Sequence, residues 1–147
     1  MNSRNLFAAA AFAALLASPV IAADNPATLS GGTIVTADAA KDLIAKGAQV
    51  IDVRSANEYA EGHIKGAKNV PYKEKSDKKA GFDASQDSFD LAKLPADKAA
   101  AMIFYCNGLE CWKSYKASVT AVKAGYTKVN WLRGGLPEWK GKGYPTE

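Results

Sequence analysis

Residues 101–106 read AMIFYC. This is the most apolar of the strand-like runs in the 147-residue chain, and a short, wholly apolar run predicts a strand that is buried on both faces. The run ends at Cys106, and apolar residues then recur at helical spacing over 112–122, with Gly125 as the stop. A buried strand that leads through a tight loop into a helix is the unit from which parallel sheets are built.

Further strands and helices alternate on both sides of this unit. Strand-like runs bounded by turn or capping residues occupy 34–35, 49–53, 67–70 and 128–132. Helical segments are predicted over 36–47, from 55, and around 136–140. The alternation predicts an α/β fold with a mainly parallel central sheet and helices on both faces. Cys106 is then expected at the carboxyl end of a central strand, where such sheets bind their ligands.

The composition indicates one globular domain. Hydrophobic residues make up 48% and charged residues 23% of the chain, which excludes a disordered tail, a collagen-like chain and a disulfide-dense miniprotein. The formal net charge is +4, but only three arginines occur, at positions 4, 54 and 133, and the lysines are scattered. Nucleic-acid binders more often cluster their basic residues, so we expect no nucleic-acid partner. A pI near 9.0 favours anionic small molecules as ligands.

Residues 1–22 have the three parts of a secretory signal peptide. Arg4 supplies the positive charge, an uncharged Ala-, Leu- and Phe-rich run follows, and a small-residue cleavage site ends at Ala22. The alternative is an uncleaved anchor, but the apolar run is marginal for a membrane span of about 20 residues. We therefore expect a single domain over 23–147, exported to a bacterial periplasm and without stable membrane insertion after cleavage.

Residues 73–99 are the least regular part of the predicted domain. They are rich in Lys, Asp and Ser, and their few large apolar residues are Phe82, Phe89, Leu91 and Leu94. The segment is longer than an ordinary connection between elements. We expect a polar surface excursion with one helical turn over 88–94.

Cys106 is the candidate catalytic residue. It leaves a buried strand, enters the loop Asn107-Gly108-Leu109-Glu110-Cys111-Trp112 and precedes a helix. Backbone N–H groups of such a loop, with a helix N-terminus behind them, stabilise a thiolate or another sulfur anion. Gly108 suits a backbone that curls around an anion. The alternative is that Cys106 is a small residue buried at the end of a strand.

Three blocks of sequence together resemble the rhodanese-like sulfurtransferases. Residues 50–71 contain VIDVR, EY and GHIKGAKNVP, which are similar to the first signature of the family. Residues 103–106, IFYC, resemble its catalytic strand and cysteine. Residues 131–145 contain WLRGG, a further Trp and GYP, which are similar to its C-terminal signature. The blocks stand in the family's order and spacing, and they span nearly all of the predicted mature chain.

The resemblance implies a single rhodanese-like domain and a sulfur-transfer reaction. In the family, the cysteine that corresponds to Cys106 takes a sulfane sulfur and carries it as a persulfide. The donor implied is thiosulfate or a related persulfide or polysulfide, and the acceptor is cyanide or a thiol. No metal or organic cofactor is required, and one histidine and two cysteines are too few for a typical structural zinc site.

The loop departs from the commonest thiosulfate-using pattern at Glu110. Those enzymes carry Arg or Lys within the loop, whereas the carboxylate of Glu110 opposes an anionic donor. Lys113 follows closely and is a candidate to compensate for that charge. Related phosphatases place an arginine six positions after the cysteine, and that position here is Trp112. This argues against phosphatase or arsenate reductase activity.

Cys111 leaves three interpretations open. As a resolving thiol it would attack the Cys106 persulfide, release sulfide and leave a disulfide; as a relay it would pass the sulfur on; otherwise it is a small buried residue where a helix begins. Export permits a disulfide, which requires Cα atoms within about 7 Å. So short a loop constrains the unfolded chain little, so the pair indicates chemistry more than stability.

Asp52 and Arg54 are candidates to support the site or contact the substrate. Asp52 ends a buried strand, where a paired carboxylate commonly fixes loops, and Arg54 is expected to pair with Asp52 or Glu58, or to face the substrate. Two other classes of function stand beside sulfur transfer. One is a dithiol/disulfide oxidoreductase that uses Cys106 and Cys111, against which the lack of Cys-x-x-Cys spacing argues. The other is a non-catalytic sulfur-carrier module, which the intact cysteine disfavours.

Overall fold

A computed structural model describes residues 23–147, so the predicted signal peptide lies outside the described residues. Strands and helices alternate along this part of the chain as the sequence predicts. The strands are β1 (Thr33–Val35), β2 (Gln49–Asp52), β3 (Lys68–Asn69), β4 (Met102–Tyr105) and β5 (Val129–Leu132). The α-helices are α1 (Ala37–Ala45), α2 (Ala56–Glu61), α3 (Lys113–Lys123) and α4 (Gly135–Gly141). None of the helices over 23–147 is long and apolar enough to cross a membrane.

The five strands form one sheet in the order β1-β5-β4-β2-β3, and every pair is parallel. The predicted α/β class is confirmed, and the sheet is wholly rather than mainly parallel. β4 is the central strand, and all four of its residues are buried. Its carboxyl end therefore lies between the ends of β5 and β2, and Cys106 is the next residue.

Helices cover both faces of the sheet because the side chains of β4 alternate between two apolar clusters. Met102 and Phe104 pack with buried residues of α3, whereas Ile103 and Tyr105 pack with buried residues of α1 and α4. The α3 cluster includes Ala117, and small residues of this kind let a helix lie close to the sheet. An apolar run without alternation is what a strand between two covered faces requires.

Local capping signals place two helices at the carboxyl ends of strands. The Ser55 side chain accepts from the Glu58 backbone N–H, and the Glu58 carboxylate accepts from the Ser55 N–H, so the predicted capping box is present. Thr36 caps α1 in the same way, by accepting from Ala39 N–H. Both caps satisfy N–H groups that a helix start leaves free.

Residues 73–99 pack against the α3 face of the sheet, whereas the sequence predicted a polar surface excursion. They contain two short 3₁₀ turns, Ala84–Gln86 and Leu91–Lys93, rather than the single turn that was predicted. Phe82 and Leu94 are buried in the α3 cluster. The segment covers that face of the sheet because its few apolar side chains point inward and its polar groups bind one another.

Polar contacts fasten this segment to α3. The Asp87 carboxylate accepts from the Tyr72 hydroxyl at 2.6 Å and from the Lys75 and Ser76 N–H groups at 2.7 Å each. Lys116 of α3 is fully buried, and its Nζ donates to the Ser76 hydroxyl at 2.8 Å. The same Nζ lies 2.8 Å from a Glu74 carboxylate oxygen. The buried ammonium group is thus both hydrogen-bonded and charge-paired, as a buried charge must be.

Candidate active site

Cys106 lies directly after β4 at the carboxyl edge of the sheet, and it is only 1% exposed. Its carbonyl oxygen accepts a hydrogen bond from Leu136 N–H at 3.0 Å. That bond ties the start of the cysteine loop (residues 106–112) to the turn after β5. The predicted catalytic residue is therefore held by the central strand on one side and by the start of α4 on the other.

Gly135 makes this close approach possible. Its φ is +65°, a conformation that side-chain-bearing residues rarely adopt. A Cβ at this position would lie 2.4 Å from the Cys106 carbonyl oxygen and 2.6 Å from the Gly108 nitrogen. The second glycine of the Gly-Gly pair thus leaves room for the cysteine loop.

Cys106 and Cys111 form a disulfide in this structure. Their Cα atoms are 6.3 Å apart, within the range that a disulfide requires. Sequence reasoning left the bond open because the distance depends on how tightly the loop curls. Cys111 is half-buried, unlike Cys106. In this oxidised form neither sulfur is a thiolate, so nucleophilic chemistry at Cys106 first requires reduction of the pair.

The cysteine loop carries backbone N–H groups that are not used by the fold. Over residues 23–147, the N–H groups of Asn107, Gly108, Leu109 and Glu110 donate to no protein acceptor. α3 begins immediately beyond, and its N-cap residue, Trp112, provides no side-chain cap. Unused N–H groups at a helix start are favourable surroundings for a sulfur anion.

The side chains of the loop point in different directions. Asn107, Leu109 and Glu110 are exposed, and Leu109 is 42% exposed. Trp112 is buried, and its ring packs edge-on against Tyr115 with ring centroids 5.9 Å apart. Trp112 therefore belongs to the scaffold under the loop rather than to the rim of a pocket.

A segment at residues 23–26, which we call the strap, lies across the cysteine loop. The Ala23 carbonyl accepts from Trp112 Nε1 at 3.2 Å. Asn25 binds the loop with both its backbone and its side chain. Arg133, the residue after β5, donates to the carbonyls of Asn25 and Pro26 at 2.8 Å each. Sequence reasoning missed the strap, because no motif within residues 23–26 indicates these contacts.

A buried network of charged and polar groups supports the loop from below. The Asp52 carboxylate, which is fully buried, accepts two side-chain hydrogen bonds from Arg54, with Nη2 at 2.7 Å and Nε at 3.1 Å. It also accepts from the Tyr105 hydroxyl at 2.5 Å. Among the options that the sequence offered for Arg54, the structure shows the pairing with Asp52.

The environment of this network shifts the pKa values of Tyr105 and Arg54. Burial, together with the nearby Asp52 carboxylate, raises the pKa of Tyr105 above that of an ordinary phenol. Burial opposes the charged form of Arg54, but its hydrogen bonds to Asp52 outweigh that effect and raise the pKa of Arg54. Arg54 is thus a permanent cation and Tyr105 a permanent donor beneath the cysteine loop.

Asn107 connects that network to the loop and to α2. Its Oδ1 accepts from Arg54 Nη1 at 3.4 Å, and its Nδ2 donates to the Glu58 carboxylate at 2.5 Å. The hydrogen bond from Asn107 lowers the pKa of Glu58 below its usual range, against the opposing effect of burial. Glu58 therefore accepts hydrogen bonds from two places: from Asn107 in the cysteine loop, and from the Ser55 N–H in the capping box of α2.

A cavity of about 600 Å³ lies at the same edge of the sheet. Lys113, the first residue of α3, lines it together with Lys73 and Lys75. None of these three lysines forms an ion pair with a carboxylate in the described part of the chain. The carboxylate of Glu74, which also lines the cavity, is paired with Lys116. The cavity therefore has a net positive lining.

Comparison with known proteins identifies the family. Residues 36–142 match the model of the rhodanese-like domain. The chain belongs to the rhodanese-like domain family. Over 113 residues it is 30% identical to thiosulfate sulfurtransferase 16, a chloroplastic protein of Arabidopsis thaliana, and the match covers 77% of this chain and 91% of that protein. It is 31% identical over 108 residues to thiosulfate sulfurtransferase 18 of the same plant, with 72% and 76% covered.

Solved structures agree with this assignment. The solution structure of the rhodanese-like domain of an Anabaena protein is 28% identical, superposes with a TM-score of 0.58, and the match covers 77% of this chain and 76% of that one. Within the rhodanese-like domain, the structure brings together the predicted loop, Asp52 and Arg54 at one edge of the sheet. It places Lys113 in the wall of the adjacent cavity. In the described residues no group of three or more His, Cys, Asp or Glu side chains is arranged to hold a metal ion.

Proposed function

We propose that this rhodanese-like protein is an exported sulfurtransferase that carries a sulfane sulfur as a persulfide on Cys106. One observation carries the proposal: Cys106 directly follows the central strand, and the next four N–H groups, those of residues 107–110, donate to no protein acceptor within residues 23–147. A persulfide is an anion, and it needs N–H donors to be stable away from bulk water. The location, a bacterial periplasm, rests on the signal-like sequence of residues 1–22.

The first step is a displacement at sulfur. The thiolate of reduced Cys106 attacks the outer sulfur of thiosulfate, the S–S bond of the donor breaks, and sulfite leaves with the bonding electrons. The product is the Cys106 persulfide anion, so the total charge is unchanged. The step consumes no proton and no external electron. It needs only a reduced Cys106 and a bound donor.

The charge of the cavity supports an anionic donor. Lys73, Lys75 and Lys113 line its wall, and Lys113 directly follows the cysteine loop. Two relatives that are 30% and 31% identical to this chain are named thiosulfate sulfurtransferases. Thiosulfate is therefore the donor proposed first, and a polysulfide chain, which is also anionic, comes second.

Cys111 supplies a second step. Its thiol attacks the Cys106 sulfur of the persulfide, the outer sulfur leaves as hydrosulfide with the proton of the attacking thiol, and the disulfide forms. The 6.3 Å separation of the Cα atoms permits this bond. A thiol acceptor that reaches the outer sulfur first receives the sulfur instead. The disulfide is then the product of a turnover without an acceptor, and a thiol reductant returns it to the start.

The decisive experiment is the intact mass of the reduced protein after exposure to thiosulfate. Cys106→Ser serves as the control, and Cys111→Ser prevents resolution. We expect a gain of one sulfur atom in Cys111→Ser, its removal as thiocyanate by cyanide, and no gain in Cys106→Ser. A gain with polysulfide but not with thiosulfate changes the donor and keeps the class. No gain from either donor rejects sulfur transfer.

A second candidate function is a dithiol/disulfide oxidoreductase, and the Cys106–Cys111 disulfide is the observation that favours it. In that reaction the pair passes two electrons to or from a partner thiol and gains no sulfur. The same mass experiment separates the two. A loss of two hydrogens from the reduced wild-type protein, with no sulfur gained by Cys111→Ser from any donor, supports the oxidoreductase.

A further inference from the structure

Asn25 binds three carbonyl groups of the cysteine loop. Its backbone N–H donates to the Leu109 carbonyl at 2.7 Å. Its side-chain Nδ2 donates to the Gly108 carbonyl at 3.2 Å and to the Cys111 carbonyl at 2.9 Å. Asn25 is only 2% exposed. One residue of the strap therefore holds three carbonyl groups of a loop that has only four residues between its cysteines.

The orientation of the Asn25 amide is fixed by these contacts. Only the amide nitrogen can donate, so exchanging the nitrogen and oxygen would place two carbonyl oxygens against a third oxygen. The amide oxygen is buried, and it has no hydrogen-bond partner over residues 23–147. The side chain is thus used entirely through its two N–H donors, which indicates that holding the loop determines the residue at this position.

Holding a carbonyl also orients the N–H group in the same peptide unit. All peptide bonds in the described residues are trans, so each carbonyl and the following N–H point in opposite directions across one plane. The three carbonyls bound by Asn25 belong to the same planes as the N–H groups of Leu109, Glu110 and Trp112. Those three N–H groups face away from the strap and have no protein acceptor in the described part of the chain.

We propose that Asn25 is a positioning residue that turns the N–H groups of Leu109, Glu110 and Trp112 toward the sulfur of Cys106 and so stabilises its anionic forms. The inference rests on the proposed role of Cys106, because it assigns a function to the loop around that sulfur. Arg133 seats the strap by binding the carbonyls of Asn25 and Pro26. Asn25 is buried, so its role requires no contact with the substrate. It acts through the backbone of the loop.

The test measures the acidity of the Cys106 thiol in full-length protein that carries Cys111→Ser, so that a single thiol titrates. The rate of alkylation by iodoacetamide is followed against pH, with and without Asn25→Ala. We expect the midpoint to rise by about one pH unit, which lowers the rate about tenfold at pH values well below the midpoint and leaves the rate at high pH unchanged. Asn25→Asp, which keeps the size of the side chain and adds a negative charge, is expected to raise the midpoint further.

Asn130→Ala is the matched control. The Asn130 side chain is half-buried, and it donates to two carbonyls, those of Met102 at 3.1 Å and Lys128 at 3.4 Å. Asn130 belongs to β5 and pairs with Ile103 in the amino-terminal half of β4, whereas the cysteine loop follows the carboxyl end of β4. Its removal is expected to lower stability without moving the alkylation midpoint. An unchanged midpoint in both Asn25 variants, or an equal shift in Asn130→Ala, overturns the proposal.

This readout is separate from the test of sulfur transfer, because alkylation uses no sulfur donor. A persulfide that forms normally while the Asn25 variants leave the midpoint unmoved rejects the positioning role alone. A shifted midpoint in a protein that gains no sulfur rejects the proposed reaction and keeps the role of Asn25 in thiol acidity. If Cys106 carries the persulfide and Asn25 also lowers its thiol pKa, persulfide formation from thiosulfate at neutral pH is expected to slow in the Asn25 variants in proportion to their alkylation rates.

Discussion

Asp52 and Asp87 each accept several hydrogen bonds, yet the two carboxylates have different structural roles. Asp52 is fully buried beneath the cysteine loop and is paired with the cation of Arg54. Asp87 is half-buried in the segment over 73–99, and its side-chain donors, Tyr72 and Ser76, are neutral. Replacing a carboxylate that has a buried counter-charge leaves the partner cation unpaired in an apolar interior, which strongly destabilises the fold. A carboxylate with neutral donors mainly fastens a segment.

The largest effect is expected from Asp52→Asn. The change leaves the Arg54 guanidinium buried without its counter-charge, which costs about 3–5 kcal/mol of stability. Persulfide formation should fall as well, because Arg54 also contacts Asn107 in the loop. Urea denaturation followed by tryptophan fluorescence measures the first effect, and intact mass after thiosulfate measures the second. Asp87→Asn is the matched control. Equal losses of both quantities in the two variants would abolish the distinction between the carboxylates.

Lys116→Met tests how much the buried ion pair between α3 and the segment over 73–99 contributes to stability. The ammonium group of Lys116 binds Ser76 and lies 2.8 Å from Glu74, so its removal is expected to destabilise the fold by about 2–3 kcal/mol. Lys123→Met, an exposed change at the end of the same helix, should have little effect. Because the Lys116 side chain forms hydrogen bonds and ion pairs only with Ser76 and Glu74 in the described residues, and not with the cysteine loop, thiol acidity at Cys106 should be unchanged. A shifted alkylation midpoint in Lys116→Met would show that the segment and the site are coupled.

Asp87→Asn should lower the free energy of unfolding by about 1–2 kcal/mol at neutral pH. The smaller value is expected because solvent screens this half-buried side chain. Burial opposes the charged form, but the hydrogen bonds from Ser76 and Tyr72 outweigh it and lower the pKa of Asp87 below its usual range. Its contribution is therefore complete above about pH 4, the unfolded value, and is lost as the pH falls further. Urea midpoints of the two proteins should converge in acid. A gap that stays constant down to the acid limit contradicts this account.

Asn107→Ala should have the smallest effect on stability, below about 1 kcal/mol, because the side chain is exposed. It removes the contact between the loop and the Asp52 network, so a several-fold loss in the rate of persulfide formation is expected. The exposed Asn57→Ala on α2 is the control, and it should change neither quantity. A rate for Asn107→Ala equal to that of the unmodified protein means that the network supports the fold alone.

Local signals explain why the sheet and the cysteine loop could be predicted from the sequence. The apolar run 101–105, the capping box at Ser55 and the stop at Gly125 each act within a few residues, and the structure contains the elements that they predict. The family blocks then placed Cys106 at the end of the central strand. These features do not depend on contacts between distant parts of the chain.

The features that escaped prediction depend on distant contacts. Asn25 reaches residues 83 and 86 positions away in the chain, and nothing in a short polar segment indicates which carbonyls it will bind. Lys116 is a lysine within a helix, and its burial follows only from the carboxylate and hydroxyl that the segment over 73–99 brings to it. The disulfide required a Cα separation that depends on the curl of the loop.

The seat of the strap has a consequence for the order in which the molecule is completed. Arg133 and Asn25 are 108 positions apart in the chain, so their contact closes nearly the whole domain into one ring. Closing a loop of that length costs the unfolded chain entropy before any contact within it can form, so the strap is expected to dock late in folding. Until it docks, the carbonyls of Gly108, Leu109 and Cys111 lack their Asn25 donors. The surroundings of Cys106 are thus completed by one of the last contacts of the folding reaction.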